Sequence, residues 1–192
     1  MINRYRKYLE IIDIKLQNMF QKQSSFIKCK KGCSYCCKEG EYPLSELEYV
    51  NLMFYYNQLS TILKNKITNN ILSIIESKRE KMYNCPFLVN NECAVYPARP
   101  IICRTFGLIS YTKEGRKKIP FCVEYGLNYS EVFDKQTSKI IKCADDGTEP
   151  CAFNINRTVL RSKDMEETFD IYFGEDRALI DWLKEDFKNN IQ

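Results

Sequence analysis

Four cysteines fall within nine residues of this chain, in the run Cys29-Lys-Lys-Gly-Cys33-Ser-Tyr-Cys36-Cys37. Spacing this short lets consecutive side chains turn onto one centre at little loop-closure cost. Gly32 can supply the positive φ that such a loop needs. Thiols at this density point either to disulfides or to thiolate–metal ligation, and the redox compartment separates the two. Residues 1–21, MINRYRKYLEIIDIKLQNMFQ, are charged throughout and hold no apolar run of signal-peptide length. No stretch approaches the roughly 18 apolar residues of a membrane span. We therefore expect a cytoplasmic chain whose cysteines are reduced.

A second block follows the first. Cys85, Cys93 and Cys103 are spaced by an Asn90-Asn91 turn and by a segment stiffened by Pro97 and Pro100, and Cys122 comes after a further turn at Glu114-Gly115. Proline lowers the entropy of an unligated loop, so the thiols are better organised before a metal arrives. The candidate ligands are therefore Cys29, Cys33, Cys36, Cys37, Cys85, Cys93, Cys103 and Cys122. Adjacent side chains tend to point apart, so Cys37 is expected to serve a second centre, as one cysteine of a bacterial ferredoxin run does. Four thiolates around Zn²⁺ or a [4Fe–4S]²⁺ core leave a charge of about −2, which needs partners when buried. Arg99 and Arg104 flank Cys103 and are expected to donate hydrogen bonds around the sulfurs. Lys28, Lys30 and Lys31 read as solvated charge. Cys143 and Cys151 lie outside both blocks, near Asp145 and Asp146, and read as ordinary loop or core cysteines.

Composition narrows the chemistry further. The 192 residues include ten cysteines and no histidine. Histidine-based triads, Cys-His nucleophile pairs, HExxH sites and Cys/His zinc fingers are all excluded. Any metal must be held by sulfur or oxygen. A hydrophobic content of 44% is that of a folded chain, and a net charge of +4 is too mild to indicate nucleic acid.

The periodicity predicts a mainly α fold with short β-hairpins: a small, irregular cysteine-rich metal-binding core clamped by helices. We expect one domain over residues 1–192, with the core at about 29–122 and a helical C-terminal extension at about 160–190. Tyr5, Leu9, Ile12, Leu16 and Met19 predict a helix over residues 2–22. A loop is expected from Lys28 to Gly40. Ser45 with Glu48 is a capping-box pattern opening a second helix to about Gln58. A third is expected from Thr61 to Met82, burying Ile67, Ile71, Ile74 or Ile75, and Met82. Hairpins are expected around Asn90-Asn91, around Glu114-Gly115 and over 137–153 with Asp146-Gly147 at the turn. Ser162 or Asp164 should cap a helix ending at Gly174, and Asp176 to Phe187 should be helical, burying Leu179, Ile180, Leu183 and Phe187.

The pattern C-x3-C-x2-C-C, then CPFL…C-x-VY-x-x-RP-x-x-CR-x-F, resembles the YkgJ-type cysteine-cluster proteins over about residues 29–122. That family is described as zinc- or iron-chelating and is often labelled Fe–S-cluster-containing. The resemblance implies a cofactor class, an Fe–S cluster of 4Fe–4S type or Zn, rather than a reaction. Cys33-Ser-Tyr-Cys36 is one CxxC knuckle, but the chain has no second, so the compact run is closer to Fe–S ligation than to a zinc ribbon. The expected function is a metal-binding protein for electron transfer, metal handling or structural support, with a metal ion or cluster and a protein as its partners. Two alternatives stay open. One is a zinc-stabilised interaction module. The other is an enzyme, because Cys29-x3-Cys33-x-Tyr35-Cys36 matches the radical-SAM triad and flagellin lysine methylases carry a similar cysteine domain. The chain shows neither the strand–helix repeat nor the glycine-rich strand of radical-SAM enzymes.

Overall fold

The computed structural model describes residues 1–30, 32–38, 40, 42–77 and 82–187. In chain order its elements are α1 (Ile2–Lys22), α2 (Tyr35–Lys38), β1 (Pro43–Ser45), α3 (Glu46–Asn57), α4 (Thr61–Glu76), β2 (Leu88–Val89), β3 (Glu92–Cys93), α5 (Ile101–Arg104), β4 (Ser110–Tyr111), β5 (Lys117–Lys118), β6 (Phe133–Asp134), β7 (Lys139–Ile140), α6 (Arg157–Leu160), α7 (Lys163–Phe169), β8 (Asp176–Ala178) and α8 (Leu179–Phe187). Short 3-10 turns lie at Ser24–Phe26, Tyr96–Ala98 and Phe121–Tyr125. The fold is thus mainly helical with short hairpins, as the periodicity predicts. The described strands pair antiparallel in twos: β1 with β8, β2 with β3, β4 with β5 and β6 with β7. The chain divides into two compact units, one of residues 1–2, 31–103 and 171–192, the other of 3–30 and 104–170.

The first unit is built on α3, α4 and α8. Ser45 Oγ accepts from the Glu48 backbone while the Glu48 carboxyl accepts from the Ser45 backbone, so two otherwise orphaned helix-start donors are satisfied reciprocally. Leu52 and Tyr56 of α3, Ile67 and Ile71 of α4, and Leu179, Ile180, Leu183 and Phe187 of α8 meet in one core with Tyr83, Phe87 and Val95. Ile67 and Ile71 are fully buried and contribute about 2 kcal/mol each. Trp182 is half-buried. It stacks on Tyr49 with ring centroids 5.2 Å apart, and its indole N–H donates to the Leu44 carbonyl. The β2–β3 turn places both Asn90 (φ 54°) and Asn91 (φ 62°) in the left-handed region, the conformation that two-residue hairpins demand and asparagine tolerates.

In the second unit, α1 buries Tyr5, Tyr8, Leu9, Ile12 and Leu16. Met19 is only half-buried. A separate cluster gathers Phe26, Ile109, Val123, Tyr129 and Val132, with the Phe26 and Tyr129 rings stacked at 5.3 Å. Gln23 is buried beside it. Its amide oxygen accepts from the Cys151 backbone at 2.9 Å and its amide nitrogen donates to the Glu149 carbonyl at 3.1 Å.

Several local expectations need correction. The segment from Lys28 to Gly40 is not all loop, because α2 forms one turn within it. The third helix stops at Glu76; residues 78–81, where its continuation was expected, lie outside the described residues. Met82 has φ 57° and is 61% exposed rather than buried, because the chain turns there so that Tyr83 can bridge to Gly40. The third hairpin is β6–β7, not 137–153. Its turn is held by the Asp134 carboxylate, which accepts from the Gln136 and Thr137 backbones, while Asp146-Gly147 forms a turn closed by Gly147 donating to Ala144. Ser162 does cap α7, but that helix ends at Asp170 in the left-handed conformation, well before Gly174. Residues 176–178 are strand rather than helix, because they pair with β1.

Candidate metal centre

The first cysteine run enters the first unit through Gly32, which adopts φ 86° as its position requires. The chain then closes the single turn of α2, with the Cys37 backbone donating to the Ser34 carbonyl at 2.9 Å. Ser34 Oγ donates to Asn91 Oδ1 at 3.4 Å, which ties this loop to the β2–β3 turn. The two cysteine blocks meet through the backbone, where Cys85 N–H donates to the Cys37 carbonyl at 2.7 Å. Cys36 and Cys37 ride on α2, Cys85 precedes β2, Cys93 lies in β3 and Cys103 in α5. The Cys36 and Cys37 sulfurs are 3.9 Å apart and share a hydrogen bond. None of the ten cysteines is in a disulfide.

These five thiols feel one another's charge. The hydrogen bond from Cys37, helped by the Arg99 charge, lowers Cys36 to about 7 against the opposing cost of burial. Cys37 is pushed up by that same hydrogen bond, by burial, and by the charges of Cys36, Cys85 and Cys103. Burial lifts Cys85 to about 12, with Cys93 and Cys36 adding repulsion. Burial likewise raises Cys93, and raises Cys103 well above its ordinary value beside Cys85, Cys93 and Cys36. Backbone donors oppose these rises: Phe87 and Leu88 N–H point at the Cys85 sulfur, and Val95 N–H at the Cys93 sulfur. N–H donors aimed at sulfur stabilise thiolate and tune a thiolate-bound metal.

The arginines part company. Arg99 lies with its guanidinium 3.5 Å above the Tyr96 ring, and its charge favours the thiolates of Cys36, Cys93 and Cys103. Arg104 pairs in the second unit with the Asp13 carboxylate, its side chain almost wholly buried.

The other predicted residues are more scattered. Cys33 lies half-buried ahead of α2 in the first unit. Cys29 and Cys122 belong to the second unit. Cys29 is exposed, and its backbone donates to Asn128 Oδ1 at 3.1 Å; Cys122 is buried in the Phe121–Tyr125 turn. Asn128, fully buried, also accepts from Lys28 N–H and donates to the Gly107 carbonyl, a staple that nothing in the sequence pattern signals. Cys143 and Cys151 are exposed. Among the described residues, no group of three or more cysteine, aspartate or glutamate side chains stands in the arrangement of a single-ion site.

The sequence pattern also missed Tyr42, whose hydroxyl donates to the Cys36 carbonyl at 3.1 Å. The donor set itself is sulfur-rich, partly buried and supplied with N–H donors, which suits a soft or borderline metal and no hard cation. The model of the CxxCxxCC family, a "putative zinc- or iron-chelating domain", matches residues 28–123. No curated protein and no solved structure matches the chain.

Proposed function

Since this chain belongs to the CxxCxxCC family of zinc- or iron-chelating domains, we propose that it binds its metal as an iron–sulfur cluster of the 4Fe–4S type, in the cytoplasm, for electron transfer or metal handling. The gathering of Cys36, Cys37, Cys85, Cys93 and Cys103 in one unit carries the reading. Buried thiols that repel one another as thiolates cannot ionise together in the apo protein. A bound cation removes the penalty, so the same burial that opposes ionisation strengthens ligation. Cys33, in the same unit, completes the ligand candidates there, while Cys29 and Cys122 belong to the second unit. The compact first run favours a cluster over a zinc ribbon, whose two CxxC knuckles are not both present. Bound there, a cluster supplies one-electron exchange; the chain's own groups hold the sulfurs, aim N–H donors at them and set Arg99 beside them.

Anaerobic purification followed by iron, sulfide and zinc analysis with a visible spectrum tests the proposal. Iron and sulfide with broad visible absorption are expected. A colourless protein carrying only zinc would replace the cluster with a zinc-stabilised interaction module. Cleavage of S-adenosylmethionine by the reduced protein would establish the enzyme alternative.

A further inference from the structure

Tyr42 stands where the two cysteine blocks meet. Its backbone is fixed by Leu179 N–H, which donates to the Tyr42 carbonyl at 2.8 Å at the start of α8. Its ring is 6% exposed and packs edge-on against Tyr83, centroids 5.7 Å apart. Gly40 leaves room for it: a Cβ there would lie 3.1 Å from both Cζ and Oη of Tyr42. With backbone and ring both held, the hydroxyl donates to the Cys36 carbonyl at 3.1 Å. The next carbonyl, that of Cys37, accepts from Cys85 N–H at 2.7 Å. Carbonyls at the end of a helix have no partner within it, so outside donors decide how the turn is oriented. In α2 those donors are Tyr42 and Cys85, and between them they set where the Cys36 and Cys37 side chains leave the turn.

We propose that Tyr42 is a positioning residue of the metal centre, holding α2 through the Cys36 carbonyl so that its two thiols face those of Cys85 and Cys103. The inference rests on the metal-binding reading above. It assigns Tyr42 no bond to metal and no proton to move. A hydroxyl acting at one remove resembles the outer partners of known metal ligands, whose loss typically costs about tenfold or more in metal affinity.

The test is anaerobic titration of the reduced apo protein with Co²⁺, read by thiolate-to-cobalt absorption, on the full chain. Tyr42→Phe keeps the ring and its packing on Tyr83 and loses only the donor. It should weaken Co²⁺ about tenfold and alter the absorption band, while the apo protein keeps its far-ultraviolet circular dichroism. Tyr49→Phe is the control. It removes a hydrogen bond of 2.6 Å from a buried tyrosine to Asp186 in the same unit, so it should lower stability while leaving cobalt affinity and spectrum as in wild type. Gly40→Ala is the second probe, needed if Tyr42→Phe folds poorly. Its methyl group pushes the Tyr42 hydroxyl aside by a few tenths of an ångström and should weaken Co²⁺ in the same direction. Wild-type affinity and spectrum in both Tyr42→Phe and Gly40→Ala would overturn the assignment, as would equal weakening by Tyr49→Phe. A wild-type protein that binds neither Co²⁺, Zn²⁺ nor iron would instead overturn the metal reading, and this inference with it.

Discussion

Arg99 and Arg104 are alike in sequence, one on each side of Cys103, and differ in what they touch. Arg99 stays beside the thiols, so Arg99→Gln should weaken metal binding several-fold at neutral pH by withdrawing the charge that favours the Cys36, Cys93 and Cys103 thiolates. Arg104→Gln should leave metal content unchanged. It should lower unfolding free energy by about 2 kcal/mol, because a buried guanidinium loses its bond to Asp13. Chelator competition and denaturant titration of both variants separate the two effects. The thiols themselves make a pH prediction with a definite sign. Cys85 is raised from 9.0 to about 12 in the folded apo protein, so the unfolded chain releases this proton first. The stability that the protonated Cys85 thiol contributes is therefore complete below pH 9 and is lost as pH climbs toward 12. Metal binding needs thiolates and should strengthen over the rise from neutral pH. Apo melting temperatures at about pH 7 and about pH 10 should fall in that order, and Cys85→Ser should flatten the fall. A thiol's chemistry is legible in the sequence, but its neighbours are not, and the divergence of the two arginines is the plainest case.

Among the elements, the start of α3 links local propensity to the site. Ser45 and Glu48 form the capping box expected from the sequence, and the Glu48 side chain does more than cap. Its second oxygen accepts from Ile101 N–H at 2.9 Å, which anchors the first residue of α5, the helix that carries Cys103. Ser45→Ala should cost about 1 kcal/mol, the usual loss for a cap. Glu48→Ala leaves buried donors at both Ser45 and Ile101 without their acceptor and should cost about 3 kcal/mol. It should also weaken metal binding, which Ser45→Ala should not. Denaturant unfolding and cobalt titration of the two variants check this. The element errors share a cause. Helical periodicity predicts helix at residues 176–178 and at Met82, yet strand pairing with β1 and the Tyr83–Gly40 bridge override it. Helix periodicity records which face is apolar and carries no information about a distant backbone donor.

At the scale of the whole molecule, the sequence blocks and the compact units do not coincide. The expected ligand set runs unbroken from Cys29 to Cys122, whereas the first unit holds Cys33, Cys36, Cys37, Cys85, Cys93 and Cys103, and the second holds Cys29 and Cys122. The division was illegible because each unit is assembled from segments far apart in the chain: α8 packs with α3 and α4, and Tyr129 with Phe26. This partition gives the last prediction. Each unit has an apolar cluster of its own, so losing the metal should not unfold the chain. In the first unit the thiols would lose the cation that offsets their repulsion and would take up protons. The backbone bond from Cys85 to Cys37, and the loop that Ser34 ties to Asn91, would then be the least supported structure there. Chelation should therefore speed amide exchange in residues 33–38 and 83–103 while Ile109, Tyr129 and Val132 keep their protection. Cys103→Ser should reproduce the pattern without chelator, and Cys151→Ser, whose exposed thiol lies in the second unit, should not. Equal loss of protection in both units would mean that the metal supports the molecule as one cooperative structure, and the assignment of the centre to the first unit would fail.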